Sequence, residues 1–386
     1  MSSNIQIRDY LIKSKPIPPI LTLPDKHILD TTISNNTIKP LTYQDYNHSI
    51  STFNNRIIYY YQTLNGLQEI LNEDNTYVTH IHLASFHFGY DSNNVPYLHL
   101  NNTSPLDPKF DKVWEELAKC KKRGIKIICM LGGAGGAFTN LFKNYETFME
   151  LWYKFIISKS SLIDGVDFDV EENIGLTNIL KLIRDTMNVF DTNPIWKDPN
   201  TGLSTFIIAM APVSYSLEGD TSGMGGFSYK ELYQHPEGQR INYFNGQFYY
   251  GDFDLKHFKQ CIDNGFPVDK IVMGCIENQF TDWVEYYIIL ENIKLNYPNV
   301  GGVFFWEYWQ HPPLWDYNVW LALHTITPDI SSSVKPINYF YSDEENKNSI
   351  LSTTVNTSLT LTDYHLKHSI EAEETNNNIS SRCVVM

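Results

Sequence analysis

Short, β-rich apolar runs alternate with amphipathic stretches from Arg56 to about residue 325. Eight of these runs read as strands: RIIYYYQT from Arg56, YVTHIHLASFHF from Tyr77, KIICMLGG from Lys126, GVDFDVE from Gly165, FIIAMAP from Phe206, INYFNGQFYY from Ile241, KIVMGC from Lys270 and GGVFFWEY from Gly301. Between them lie helical stretches such as DPKFDKVWEELAKCKKRG, YETFMELWYKFIIS, LTNILKLIRDTMNVF, DLKHFKQCIDNG and TDWVEYYIILENIKLNYP, several with Asp or Thr before and Gly or Pro after. Repeated strand–helix units predict an α/β fold, a single (β/α)8 TIM barrel. A doubly wound sheet is the competing arrangement. Closure is favoured because the unusual residues cluster at the carboxyl ends of several separate strands, where a barrel gathers its active site.

The flanks read differently. Residues 1–53 carry four prolines by position 24 and no sustained periodicity, which predicts an extended N-terminal arm. Residues 328–386, with SSSVKP, DEENKN and EAEETNNN, predict a polar, disordered tail. The chemistry is expected between them, in a catalytic barrel spanning 54–327.

Composition narrows the function. The 386 residues hold 29 Lys+Arg against 44 Asp+Glu, a net charge of −15, which repels phosphate backbones and disfavours nucleic acid as a partner. No run of about 18 apolar residues occurs, and Lys13, Lys15, Pro16, Pro18 and Pro19 interrupt any secretory core, so a cytoplasmic chain without a signal peptide is expected. Cysteines 120, 129, 261 and 275 fall inside predicted elements without metal spacing and are expected as reduced thiols; Cys383 stands apart near the end.

The sharpest feature is Asp164-Gly165-Val166-Asp167-Phe168-Asp169-Val170-Glu171. On a strand, Asp167, Asp169 and Glu171 share one face while Val166, Phe168 and Val170 share the other. The apolar face must meet the helices, so three carboxyls point into the barrel and rise toward its carboxyl end. Three acids are not lined up in a core for stability. Like charges this close cannot all ionise, so one is expected to hold a proton near neutral pH, the state a general acid needs. An EF-hand-like calcium loop fails, because the sixth position counted from Asp167 is Glu172 where Gly is required. Stacked carboxylates could hold magnesium, but no phosphate-cradling loop lies beside them. A solvated acidic edge strand is disfavoured by the regular apolar face.

This segment resembles the D-G-x-D-x-D-x-E signature of family 18 glycoside hydrolases, the chitinases and endo-β-N-acetylglucosaminidases, with every specified position filled. The resemblance implies that Glu171 protonates the glycosidic oxygen, that Asp169 orients the substrate's 2-acetamido group, and that Asp167 shares a proton with Asp169. In this family the nucleophile is the substrate's own acetamido oxygen, so an N-acetyl group on the cleaved sugar is obligatory.

The resemblance extends over roughly residues 56–325. Met130-Leu131-Gly132-Gly133 is similar to the family's S-x-G-G, with Met130 in place of Ser; the same glycines lack the pattern of a nucleotide-phosphate loop. Met210-Ala211-Pro212 resembles a turn of the fungal-type branch that lines the acetyl pocket. Phe244-Asn245-Gly246-Gln247-Phe248-Tyr249 resembles that branch's strand with Gln and Tyr on one face, implying that Tyr249 donates to the acetamido oxygen and Gln247 binds the sugar. The closing strand implies Trp306 as the aromatic floor of the cleavage subsite, with Tyr308 and Trp309 as platforms or core aromatics. Tyr59 and Tyr61 share a face of the first strand, and Tyr61 is the expected cleft residue. His80-x-His82 invites a zinc reading, but the last strand offers Trp306 where a metal-binding Asp is needed, so neither metal nor other cofactor is expected.

The chain ends Cys383-Val384-Val385-Met386, a C-a-a-X box that predicts farnesylation of Cys383. One lipid gives marginal anchoring, and Glu371, Glu373 and Glu374 oppose anionic lipids, so weak attachment to a cytoplasmic membrane face is expected. The whole implies an endo-acting, retaining hydrolase of β-1,4-linked N-acetylglucosamine, in chitin oligomers or the N-glycan core. A catalytically silent chitinase-like lectin and a lipid-anchored scaffold are the alternatives.

Overall fold

The computed structural model describes residues 55–72 and 76–324. The expected arm, the expected tail and Cys383 lie outside the described residues. Nine strands occur among the described residues: β1 Arg56–Tyr61, β2 His80–Tyr90, β3 Pro96–Leu100, β4 Lys126–Gly132, β5 Gly165–Asp169, β6 Ile207–Met210, β7 Tyr243–Gly246, β8 Ile271–Ile276 and β9 Gly302–Trp306. They run in the order β1-β9-β8-β7-β6-β5-β4-β2-β3, and β1 also pairs with β2. Eight parallel strands therefore close into a (β/α)8 barrel. β3 stands outside the ring, antiparallel to Phe86–Tyr90 of the long β2.

β3 went unpredicted because PYLHL begins with a proline, which suits only an edge strand, and is too short to show a period. The five anticipated helices form at Asp111–Lys122, Tyr145–Ser158, Leu176–Phe190, Leu255–Asp263 and Trp283–Asn296. Their caps follow the chemistry of their sequences: Asp254 accepts from the His257 amide, and Asp282 from that of Val284. In Leu176–Phe190 the buried Ile179, Leu182, Ile183, Thr186 and Phe190 recur at helical spacing and lie on the barrel. A terminal helix, Trp315–His324, packs beneath β1, where Trp315 meets Tyr59 at 5.1 Å between ring centres.

Two apolar layers result. The larger lies between strands and helices and includes Tyr59, Tyr61, Phe168, Met210, Phe244 and Phe305. The smaller fills the barrel interior with Ile58, Tyr60, Ala84, Met130, Ala209, Tyr243, Val272 and Phe304. At the amino end the Arg56 guanidinium lies 4.4 Å over the Tyr243 ring. Strand approach is closest where glycine permits it: a Cβ on Gly165 would fall 2.3 Å from the Ile207 carbonyl oxygen. Cys120, Cys129, Cys261 and Cys275 are buried and unpaired, and burial pushes the Cys120 thiol up to about 12. Among the described residues no helix is long and apolar enough to cross a membrane.

Candidate active site

Register carries the acids into the barrel. Asp167 pairs laterally with Met130 and Ala209, both interior residues, and Asp169 pairs with Gly132. Val166, Phe168 and Val170 enter the outer layer, as the alternation requires. Above Asp169 the barrel opens into a cleft of about 240 Å³, with Asp169 and Glu171 on one wall, Gln247 and Tyr249 on another and Trp306 on a third.

Asp167 sits below the cleft and is fully buried. Its Oδ2 accepts the Tyr60 hydroxyl at 2.6 Å, lies 2.9 Å from His82 Nδ1 and 3.4 Å from Asn245 Nδ2. Asn245 also donates to the Tyr60 hydroxyl at 2.8 Å, and His82 Nε2 is 3.1 Å from the Tyr243 hydroxyl. Asp167 Oδ1, in contrast, is buried and has no partner. Among the described residues no hydrogen bond joins Asp167 to Asp169, between which a shared proton was expected.

Asp169 is buried and its carboxyl is pushed well above the usual range by burial, then by the charges of Glu171 and Asp167. Gln247 Nε2 donates to Asp169 Oδ1 at 3.3 Å and to the Ala211 carbonyl at 2.9 Å, which bridges β7 to the ends of β5 and β6. Glu171, half-buried on the loop after β5, is raised by burial and then by Glu172. Burial likewise holds the Tyr249 hydroxyl well above the ordinary phenol value, with Asp169 adding to it, so Tyr249 remains a donor at any working pH.

Trp306 ends β9 half-exposed, its ring 5.1 Å from that of Tyr60. Next to it, the buried Glu307 accepts the amides of Gln62, Thr63 and Trp309 at 3.3 Å and the Thr63 hydroxyl at 2.6 Å, tying the ends of β1 and β9 together under the cleft. The Ala84–Ser85 and Trp306–Glu307 peptides are cis.

Two expected site residues are elsewhere. Tyr61 is buried outside the barrel, where its hydroxyl accepts the Gly66 amide at 2.8 Å, and Tyr60 lines the cleft instead. Met210 is also on the outer face, and Ala211 takes the lining position. Both errors are a phase slip of one residue in strands that are apolar on both faces. Tyr308 is core, and Trp309 is exposed. Tyr60, His82 and Asn245, the partners of Asp167, were missed: Tyr60 aligns with His82 only in the folded sheet, and nothing local in the sequence marks the pair. His80 has its ring nitrogen 2.7 Å from the Thr79 hydroxyl rather than beside a carboxylate. Among the described residues no group of three His, Cys, Asp or Glu side chains is placed to hold a metal ion.

No protein-family profile matches the chain, and no curated protein matches it. Solved structures do. A fungal endo-β-N-acetylglucosaminidase from glycosyl hydrolase family 18 is 26% identical, over 70% of this chain and 98% of that one, with a TM-score of 0.61. Chitinase ChiC from Aspergillus fumigatus is 28% identical, over 70% of this chain and 100% of that one, with a TM-score of 0.57. A family 18 chitinase from Pseudoalteromonas aurantia shares the fold at 18% identity and a TM-score of 0.55, over 69% and 100%. A barrel of this form with paired acids at its mouth defines the class: the chain is a glycosidase. It has the family 18 glycoside hydrolase fold, with the fungal members most similar among these three.

Proposed function

We propose that the chain is an endo-acting, retaining hydrolase of the β-1,4 link between N-acetylglucosamine units, working by substrate assistance. The observation that carries this reading is the set Asp169, Glu171, Gln247, Tyr249 and Trp306 around one cleft, with two of its acids raised. Glu171, its carboxyl raised by burial and then by Glu172, gives its proton to the glycosidic oxygen as the C1–O bond breaks. The substrate's acetamido oxygen attacks C1 from the opposite face and forms an oxazolinium ring. Asp169 accepts the acetamido N–H, and Tyr249 donates to the acetamido oxygen, which fixes the attacking geometry. Water then attacks C1 while Glu171 takes back a proton, and two inversions give retention. Trp306 offers flat apolar area to the C–H face of the sugar.

The link is common to chitin oligomers and to the two core sugars of N-glycans, and the fungal endo-β-N-acetylglucosaminidase and the Aspergillus chitinase are similarly related to this chain. Incubation with chitohexaose and, separately, with a high-mannose glycopeptide, followed by mass spectrometry and with Glu171→Gln as control, tests the reading. Shortened oligomers make the enzyme a chitinase; cleavage between the core sugars of the glycopeptide makes it an N-glycan hydrolase. No Glu171-dependent product from either substrate overturns the proposal in favour of a sugar-binding protein.

A further inference from the structure

The residue after the acid has a role the signature does not assign. Glu172 accepts the backbone amides of Phe138 at 3.2 Å and Thr139 at 2.6 Å. These open the helix Ala137–Lys143, whose N-cap is Gly136 with φ +81° and no side chain to cap with. Glu172 therefore supplies from another loop the acceptor that the helix lacks. The segment just before that helix, Gly132 to Gly136, contributes Gly133 and Ala134 to the cleft wall, and the Gly133 amide donates to the Asp169 carbonyl at 2.9 Å. On its other flank the acid's loop is pinned where the amides of Ile174 and Gly175 both donate to the Gly225 carbonyl at 3.0 Å. Glu171 thus rides on a short span clamped at both sides, by the Glu172 carboxylate on one and, on the other, by the Gly225 carbonyl and by the Asn178 side-chain amide, which donates to the Ile174 carbonyl at 2.9 Å.

We propose that Glu172 is a positioning residue for the proton donor: it braces the loop of Glu171 against the glycine segment of the cleft and sets a like charge one residue from the acid. This rests on the reading of Glu171 as the acid. The other titratable groups around Glu171 are Asp169 on β5, Tyr249 on the loop after β7 and Tyr60 on β1, with His87 of β2 behind Ala134 at 3.1 Å from its carbonyl. Among the described residues no Lys or Arg lines the cleft. Burial is the first cause of the raised Glu171 carboxyl and Glu172 the second, so removing the Glu172 charge lowers Glu171 and the acid form is lost at a lower pH.

Two variants separate bracing from charge. Glu172→Gln keeps the length and one acceptor but loses the charge; Glu172→Asp keeps the charge but is one methylene too short for the brace. Profiles of kcat and kcat/KM against pH are recorded for both, with circular dichroism to establish folding, on chitohexaose or on the high-mannose glycopeptide, whichever the wild-type enzyme cuts. The expected result is an alkaline limb at lower pH than wild type in Glu172→Gln, and a several-fold loss of kcat with an unmoved limb in Glu172→Asp. A limb unmoved in Glu172→Gln, or full kcat in Glu172→Asp, overturns the assignment. Activity that survives Glu171→Gln defeats the underlying reading instead, so the two failures are distinct.

Discussion

The Tyr60 hydroxyl donates to Asp167 Oδ2 at 2.6 Å, and this one oxygen gathers Tyr60, His82 and Asn245 while Asp167 Oδ1 is left without a partner. Asp169, whose carboxyl is raised by burial first, stands two residues along the same face of β5. Tyr60→Phe removes one donor from a buried carboxylate, worth about 1.5–3 kcal/mol. The expected outcome is a fall in kcat of about ten- to a hundredfold with KM nearly unchanged. Steady-state kinetics of the folded variant check it, and an unchanged kcat would place Tyr60 outside the proton path.

Asp169 also sets a pH dependence of stability. Its folded carboxyl is raised by burial first and by Glu171 and Asp167 next. The unfolded chain therefore ionises it at lower pH than the folded one does. Its contribution is fully favourable below about pH 4, the unfolded value, and is lost as pH rises through the folded value. Asp169→Asn removes this cost, so the variant melts higher than wild type at pH 7, by about 2–4 °C for each kcal/mol recovered, and the gap closes toward pH 4. Melting curves across that range decide; a constant gap would mean that packing, not ionisation, differs.

How much of this could be read from the sequence follows from where the strands show a phase. The β5 segment alternates acid and apolar residue, so Asp167 and Asp169 were assigned to the interior without the structure, while Glu171, expected on the same strand, lies on the loop after it and lines the cleft. After Arg56, β1 reads IIYYY, and β6 reads IIAM, apolar or aromatic at each position because both faces of a barrel strand are buried, and there the inner face could not be told from the outer. Tyr61 and Met210 were lost to that ambiguity. Tyr60 lines up with His82, and His82 reaches Asp167, so the acids of β5 fix the phase of β1 only once strands β2 and β4 have been threaded between them. The short helix at Ala137–Lys143, preceded by glycines and capped from another loop, had no local signal to find.

Trp306 tests the binding side of the site. Its ring is half-exposed at the cleft and backed by Tyr60, which is itself fixed by Asp167. Trp306→Ala removes a rigid apolar platform, worth about 1–3 kcal/mol by analogy with other stacked aromatics. The expected loss in kcat/KM is about ten- to a hundredfold, with a large part in KM. Isothermal titration of an N-acetylglucosamine oligomer into Glu171→Gln, with and without Trp306→Ala, measures the binding part directly; equal affinities would make Trp306 a structural aromatic.

Tyr249 tests the chemical side. Burial first, and the nearby Asp169 next, raise its hydroxyl well above the ordinary phenol value, so it keeps a proton to donate. If its partner is the acetamido oxygen, the bond holds that oxygen in line with C1; the oxygen gives up electron density as the ring closes, so the hydroxyl acts by positioning the attack rather than by a bond that strengthens. Tyr249→Phe, which keeps the ring and loses the hydroxyl, is then expected to lower kcat by about ten- to a hundredfold through lost positioning, with little change in KM. Glu171 and Tyr249 act on the same bond-breaking event, so their effects should not add: Glu171→Gln with Tyr249→Phe should be scarcely slower than Glu171→Gln alone. Single-turnover rates of the two single variants and the double variant give the comparison. Full additivity would show that Tyr249 serves a step separate from the one Glu171 catalyses.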